Sequence, residues 1–289
     1  MCIENPGLDL EDRKTAEWKV RRLVYGVLTV SLAFSGTVQA QTNDTINGTK
    51  PLFTLGDLAI VGGFTLATIG LAPLDRRLTN QLQDPARQSN RIMHTGATVF
   101  RLLGDPGSLI TASGIYLLGT VDKQRRTQDL GLHTVESILI ADVITGTLKF
   151  AAGRARPYAS ADNAANFQLF RGLHGDEYRS FPSGHTTSAF AFAAAVSGET
   201  ERWWPNTRWI IGPIVYGGAA LTGMSRIYNR QHWASDVMAG AAIGTLVGLK
   251  VVRYQHSHPG NYIDRKLLRA GVIHVDGGGW LPILSTVHY

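Results

Sequence analysis

Apolar segments separated by short polar breaks, most of which contain glycine or proline, follow one another along the chain from residue 55 onward. The apolar residues do not alternate strictly with polar ones, and the segments are long enough for helices rather than strands. The predicted helices span residues 55–71, 87–103, 108–121, 130–152, 183–197, 209–224 and 234–252. We therefore predict an all-α protein built as a helical bundle.

This pattern also sets expectations at individual helix ends and loops. Ser108 stands at the start of a helix, where its hydroxyl could cap the first turn. The polar, proline-containing stretch 153–181 is predicted to be a long loop. The charged stretch from Glu199 to Arg202 breaks the apolar pattern after Ser197, so we expect that helix to end there.

The N-terminal part has the features of an export signal. Basic residues from Lys19 to Arg22 precede the apolar run 23–34, and a small-residue cleavage pattern ends at Ala40. We predict a signal peptide or an N-terminal anchor in 1–40, a linker in 41–54, a helical domain in 55–254 and an unassigned tail in 255–289. Export predicts a periplasmic location. Removal of the signal would take away the only cysteine, Cys2, and with it any disulfide.

Several of the predicted helices are 16 to 20 residues long and nearly uncharged, so membrane crossing has to be weighed. Four acidic residues, Asp57, Glu136, Asp142 and Asp236, fall inside three of these segments. This favours the buried helices of a bundle that is soluble or attached to a membrane surface, and a spanning bundle stays open as the alternative. The oligomeric state is not determined by the pattern.

Charge excludes some classes of function. The chain has 28 Lys and Arg against 22 Asp and Glu, a formal net charge of +6, and no basic run is longer than two residues. Such a spread does not predict nucleic-acid binding, although a few of these cations could meet in one anion site.

Three short stretches contain residue types suited to chemistry. In the stretch 225–236, His232 and Asp236 are four residues apart at the start of a helix, so a carboxylate could orient an imidazole whose other nitrogen acts as base or nucleophile. In the stretch 181–185, Ser183 and Gly184 open a helix whose first N–H groups could bind an anion, and His185 could protonate a leaving oxygen.

The third stretch, 149–157, places Lys149 and Arg156 near the end of a helix. Pro157 disfavours helical backbone at Arg156, so the chain is expected to turn there. Taken singly, each of the three stretches is more often a structural feature than a catalytic one. Arg126 and Arg154 are interpreted as solvated charges.

Together the three stretches resemble the signature of the type 2 phosphatidic acid phosphatase (PAP2) and vanadium haloperoxidase superfamily. Its pattern is K-x6-R-P, then P-S-G-H, then S-R-x5-H-x3-D, and all fixed positions are present. They are Lys149, Arg156, Pro157, Pro182, Ser183, Gly184, His185, Ser225, Arg226, His232 and Asp236. The resemblance covers 149–236 closely and implies the helical bundle of the acid phosphatase and vanadium haloperoxidase type.

The resemblance implies a role for each matched position. Lys149, Arg156 and Arg226 would bind phosphate oxygens, and Ser183 with the N–H of Gly184 would complete the site. His232 would attack phosphorus to give a phosphohistidine, with Asp236 orienting it. His185 would protonate the leaving group and then activate water. The fixed cations would do this without a metal or other cofactor.

The substrate that the resemblance implies is a phosphate ester, including lipid phosphates and diphosphates. A vanadate-dependent haloperoxidase and a catalytically inactive phosphate-binding homologue remain as alternatives. The gap of 24 residues (158–181) between the first two motifs is short for a haloperoxidase. Arg179-Ser180-Phe181 stands where the soluble periplasmic acid phosphatases usually have Gly-Ser-Tyr, which weakens assignment to that group.

Overall fold

The structure is a computed structural model that describes residues 53–258 and 261–263, together with the backbone of 270–275 and 279–284. The described helices are α1 (Leu55–Leu71), α2 (Asp75–Leu82), α3 (Pro85–Gln88), α4 (Arg91–Leu102), α5 (Ser108–Val121), α6 (Arg125–Ala152), α7 (Gly184–Trp203), α8 (Arg208–Tyr228) and α9 (Ala234–Ser257). The predicted all-α bundle is confirmed. The predicted signal peptide and most of the predicted linker lie outside the described residues.

Helix α7 forms the centre of the bundle and packs against α6, α8 and α9, while α1 packs on α9 and α5 on α6. Three glycines of α9, each four residues from the next, allow α9 to lie directly on α7. A side chain at Gly240 would meet the main-chain oxygen of Ser183, and one at Gly244 or Gly248 would collide with the backbone of α7 further along. Small residues at this spacing permit close helix contact. The contact joins two of the three motif-bearing stretches.

The predicted helices are present, but α6, α8 and α9 are each five residues longer than predicted, and α2 was not predicted. Three further expectations need correction. The segment predicted as one helix over 87–103 is divided into α3 and α4, because Asn90 caps a new helix with its side chain. The expected end at Ser197 is wrong, since α7 continues to Trp203 and Glu199 is fully buried between helices. The expected Ser108 cap is also wrong: its hydroxyl donates to the oxygen of Gly104 one turn earlier.

The C-terminal tail contains two strands that the pattern did not predict. Strands β1 (Ala270–Val275) and β2 (Gly279–Leu284) pair antiparallel, with Ala270 opposite Leu284 and Val275 opposite Gly279. The helical prediction therefore holds for the bundle and not for this hairpin.

Large apolar side chains cover much of the outer surface, contrary to the expectation of buried helices. In α1 only Asp57, Ile60 and Phe64 are buried, and exposed leucine, isoleucine and valine side chains also occur on α4, α5, α6 and α8. Two stretches, Leu55–Leu82 and Ala234–Ser257, have the length and composition of membrane spans, although the second is mostly buried. Taken alone, length and composition are weak evidence, because buried core helices meet the same criteria.

The acidic residues that argued against membrane crossing point into the bundle and have partners there. Asp57 pairs with Lys250, and Asp142 accepts a hydrogen bond of 2.8 Å from the Ser188 hydroxyl. Glu136 is likewise buried, with the amide of Gln255 as a partner. Charged groups inside an apolar bundle are tolerated in this way when they face its interior, so these residues no longer argue against a membrane location.

Candidate active site

The three motif-bearing stretches meet at one end of the bundle. Lys149 lies in the last turn of α6, and Ser183 directly precedes α7. Arg226 lies in the last turn of α8, and His232 precedes α9. Their sequence separation is bridged by helices that run the length of the bundle and return. Helix ends therefore bring together residues as far apart as 149 and 236.

The turn after α6 has a local cause. Gly153 ends the helix in the left-handed conformation, with φ 56°, which side chains other than glycine rarely adopt. A side chain there would also collide with the main-chain oxygen of Gln168. The long loop 153–181 is confirmed, and it returns over the site, with Arg154 bridged to Phe167.

His232 is almost completely buried, and its Nδ1 atom lies 2.6 Å from the main-chain oxygen of Ser180. The distance from the same nitrogen to the carboxylate of Asp236 is 4.0 Å, too long for a hydrogen bond. Burial, together with the charges of Lys149, Arg156 and Arg226, holds the pKa of His232 well below its usual 6.5. The imidazole is therefore neutral at ordinary pH.

Asp236 belongs to a buried network that the sequence analysis did not predict. Its Oδ2 atom accepts hydrogen bonds from the Ser180 hydroxyl at 2.5 Å and from the Trp233 N–H at 2.9 Å. The Arg154 guanidinium binds Asp236 and, through its other terminal nitrogen, Asp75 at 2.7 Å. Asp236 thus fixes the start of α9 and the loop segment that contacts His232.

Arg154 was interpreted as a solvated charge, and this is wrong: only 4% of it is exposed. Besides the two carboxylates it contacts the Ser235 hydroxyl, which in turn donates to Asp75 at 2.5 Å. Asp75, Ser180 and Ser235 were also missed. The sequence signal for them was weak, because a buried ion pair formed by residues about 80 apart leaves no local spacing.

The three predicted phosphate-binding cations differ in what they contact. Lys149 donates to the main-chain oxygen of Arg179 at 2.9 Å, and Arg156 is held by Asp176 at 2.7 Å and by Gln231. Arg226 is only 5% exposed, yet its Nε and Nη1 atoms have no hydrogen-bond partner among the described residues. All three lie within electrostatic range of both His185 and His232.

The start of α7 matches part of the expected anion site. Ser183 is the N-cap residue, but its hydroxyl contacts Thr186 Oγ1 at 2.8 Å rather than a helix N–H. At Gly184 an added Cβ would make only an ordinary contact of 3.5 Å with Lys149, so the main chain is open there. His185 is partly exposed, with Asp105 4.0 Å from its Nδ1 atom.

The site at this end of the bundle contains a buried neutral histidine, a second histidine and a group of cations. This arrangement is suited to binding a phosphate group and to nucleophilic attack on it. Residues 130–258 match the family model of the PAP2 superfamily. Over this region the chain is similar to the PAP2 superfamily.

Relatives and solved structures are consistent with this similarity. The chain is 40% identical over 103 residues to the lipid A 1-phosphatase of Porphyromonas gingivalis, covering 35% of this chain and 18% of the relative. It is 33% identical over 144 residues to lipid phosphate phosphatase 1 of Arabidopsis thaliana, covering 43% of each chain. The match thus spans less than half of either curated relative.

The fold is similar to that of the transmembrane PAP2 type phosphatidylglycerolphosphate phosphatase from Bacillus subtilis. The TM-score is 0.53 at 20% identity, over 69% of this chain and 96% of that chain. At this identity the likeness bears on the fold alone.

Proposed function

We propose that this protein is a membrane-associated phosphoric ester hydrolase that removes phosphate from phosphorylated lipids through a phosphohistidine at His232. The observation that carries the proposal is the Arg226 guanidinium, which is buried and lacks partners for two of its nitrogens among the described residues. A buried cation of this kind is costly unless an anion completes its hydrogen bonds. A phosphate group close to His232 would do so.

The nucleophile assignment rests on tautomer and burial. The main-chain oxygen of Ser180 only accepts hydrogen bonds, so the proton of neutral His232 belongs on Nδ1 and the lone pair on Nε2. In the first step Nε2 forms a bond to phosphorus while the bond from phosphorus to the leaving oxygen breaks. Lys149, Arg156 and Arg226 neutralise the charge on the phosphoryl oxygens as it is transferred.

His185 is the proposed acid and base. It gives its proton to the leaving oxygen in the first step and takes a proton from the attacking water in the second, which returns His232 and releases inorganic phosphate. Burial and the nearby cations lower the pKa of His185 to about 3, and the negative charge of a bound phosphate would oppose this shift. Protonation of His185 is therefore coupled to substrate binding.

A lipid substrate is favoured by the outer surface of the bundle. Leu58 and Leu66 on α1, Leu118 on α5 and Val143 on α6 are well exposed. An apolar surface of this extent is suited to contact with lipid acyl chains. The two curated relatives are named for lipid A and for lipid phosphates. We extend this to a membrane location, with the site at a membrane surface on the exported, periplasmic side.

The proposal is tested by trapping the intermediate in detergent-solubilised full-length protein. Labelled phosphate from 32P-phosphatidic acid is expected on the wild-type chain after rapid quenching at alkaline pH, and to be absent from His232→Ala. The His185→Gln variant is given 32P-labelled p-nitrophenyl phosphate, whose leaving group needs no proton. The labelled protein should accumulate in this variant, because His185 no longer activates water for the second step.

Substrate class is read from the same preparation. Phosphate release from phosphatidic acid, undecaprenyl diphosphate and lipid A is compared with release from p-nitrophenyl phosphate, and kcat/KM is expected to be higher for a lipid. Labelling of His232→Ala at the wild-type level would overturn the nucleophile assignment. Equal kcat/KM for all four esters would overturn the lipid assignment.

A further inference from the structure

A second group of histidine and carboxylate side chains lies toward the other end of the bundle from the phosphate site. It consists of His133 on α6, Glu199 on α7 and His256 on α9. His133 precedes Lys149 by 16 residues of the same helix, which corresponds to about 24 Å at 1.5 Å per residue. The group is therefore separate from the site described above.

The two histidines converge on the carboxylate of Glu199, whose side chain has no exposed surface. His133 Nδ1 lies 2.6 Å from Glu199 Oε1, and His256 Nε2 lies 2.8 and 3.0 Å from the two carboxylate oxygens. The side chain of His133 is 2% exposed and that of His256 15%. One nitrogen or oxygen atom from each residue lies within 4.8 Å of the others.

A second carboxylate, Asp129, faces the same place. It is one helical turn before His133, on the same face of α6, and only 3% of it is exposed. Its Oδ1 atom has no hydrogen-bond partner in the part of the chain that the structure describes. Its charge acts on His133, Glu199 and His256. Burying an unpartnered carboxylate oxygen is unfavourable unless a cation or donor compensates.

We propose that His133, Glu199 and His256 bind a divalent transition metal ion, with Zn²⁺ the expected ion. Two imidazoles and a carboxylate are ligands that Zn²⁺ accepts, with a fourth position left for water or a further oxygen. Around a tetrahedral Zn²⁺ with bonds of about 2.0–2.1 Å, ligand atoms are separated by about 3.3 Å. Side-chain shifts of less than about 1 Å would open the observed contacts to that spacing.

Charge balance favours a metal over a hydrogen-bonded group alone. Glu199 and Asp129 bring two carboxylates into one buried group, which carries a charge of −2 when both are ionised, and one Zn²⁺ ion would cancel that charge. Metal ligation uses histidine in its neutral form. Asp129 supplies the second negative charge, whether or not its oxygen reaches the ion.

The site would act as a structural clamp. Its ligands come from three different helices, and α6, α7 and α9 also supply Lys149, His185 and Asp236 at the other end. Metal sites in helical bundles are commonly built from side chains that project inward from facing helices. Binding would hold the three helices in register without contact with the substrate.

The test uses metal as its readout rather than activity. Full-length protein in detergent is stripped with EDTA, exchanged into chelator-free buffer and titrated with Co²⁺, followed by visible absorption, then with Zn²⁺. We expect one equivalent of Co²⁺ with the absorption bands of a four- or five-coordinate nitrogen and oxygen site. We also expect Zn²⁺ to displace it, and the unfolding temperature to rise with added Zn²⁺.

Two variants and two controls locate the ion. Glu199→Gln and His256→Gln should each weaken Zn²⁺ binding at least about 100-fold and remove the rise in unfolding temperature. The exposed His94→Gln on α4 should bind as the wild type does. The double variant of His185→Gln and His232→Gln should keep one equivalent, which separates this ion from metal bound at the phosphate site.

Absence of saturable binding by the wild-type protein would overturn the proposal, as would wild-type affinity in His256→Gln. The second variant matters because Glu199→Gln could fail to fold, whereas His256 lies at the edge of the group. None of these readouts depends on phosphate release, so failure of the proposed hydrolase function would leave the metal result interpretable.

Discussion

The Nδ1 atom of His232 lies 2.6 Å from the main-chain oxygen of Ser180. The tautomer of His232 is therefore set by a main-chain carbonyl and not by a carboxylate. A side-chain substitution at Ser180 leaves this carbonyl in place. Asp236 does not contact His232 directly; it binds the Ser180 hydroxyl at 2.5 Å and the Arg154 guanidinium. The relation between His232 and Asp236 that spacing predicted is thus indirect in the structure.

Substitutions of Ser180, Asp236 and His232 should lower kcat by increasing amounts, in that order. Ser180→Ala removes one hydrogen bond to Asp236 and is expected to lower kcat about tenfold, the equivalent of about 1.4 kcal/mol. Asp236→Asn, which also weakens the contact with Arg154, should lower kcat about 100-fold. His232→Ala should leave no measurable turnover. Steady-state phosphate release checks the order, and an Asp236→Asn variant as inactive as His232→Ala would contradict it.

Substitution of Arg154 should mainly lower the stability of the fold. Arg154→Gln leaves the buried carboxylates of Asp75 and Asp236 without their shared cation, and we expect the free energy of unfolding to fall by about 3–5 kcal/mol. The matched control is Arg76→Gln, because Arg76 and its partner Asp162 are exposed and 3.6 Å apart. Exposed pairs contribute about 0–1 kcal/mol. Thermal unfolding in detergent measures both, and equal losses would argue against the buried network.

Arg226 should show the opposite relation between stability and function. Its Nε and Nη1 atoms lack partners among the described residues, so Arg226→Met is expected to leave the unfolding temperature unchanged or to raise it. The same change should abolish turnover and remove the rise in unfolding temperature that inorganic phosphate gives the wild type. A strongly destabilised Arg226→Met would show that the guanidinium is already satisfied without a phosphate.

His232 should remain neutral in acid. Burial and the nearby cations lower its pKa well below 6.5, so the ring should bind no proton as the pH falls from 8 to 6 without substrate. Imidazole resonances of 15N-labelled protein, assigned by comparison with His232→Gln, should show this directly. A midpoint near 6.5 would mean that water and anions reach the ring freely.

Close contact between α7 and α9 should be sensitive to a single methyl group. A side chain at Gly244 would collide with the backbone of α7, so Gly244→Ala is expected to lower the free energy of unfolding by about 1–3 kcal/mol. Gly146→Ala on α6 is the control, since nothing lies within 4 Å of its added Cβ. Helix propensity then favours alanine by up to about 1 kcal/mol. Comparable effects of the two changes would contradict the packing.

Much of the fold was predictable because local physics decides it. Apolar runs bounded by glycine and proline located most of the helices, and the ends of α1 and α5 agree with the prediction. The end of α7 was not predictable, because Glu199 looks like a surface residue until its histidine partners on other helices are known. The hairpin after residue 269 was missed as well, since its short apolar segments show no sustained alternation.

By itself, the sequence determined the eleven motif positions that are predicted to form the phosphate site, because their consistent spacing indicates one chemistry even when each position is ambiguous alone. Only the tertiary structure decided which other residues position these side chains. Arg154, Asp75 and Ser180 act through contacts between residues about 50 to 80 positions apart, and the histidine and carboxylate group around Glu199 joins three helices. Such contacts depend on helix packing, which leaves no fixed spacing along the chain.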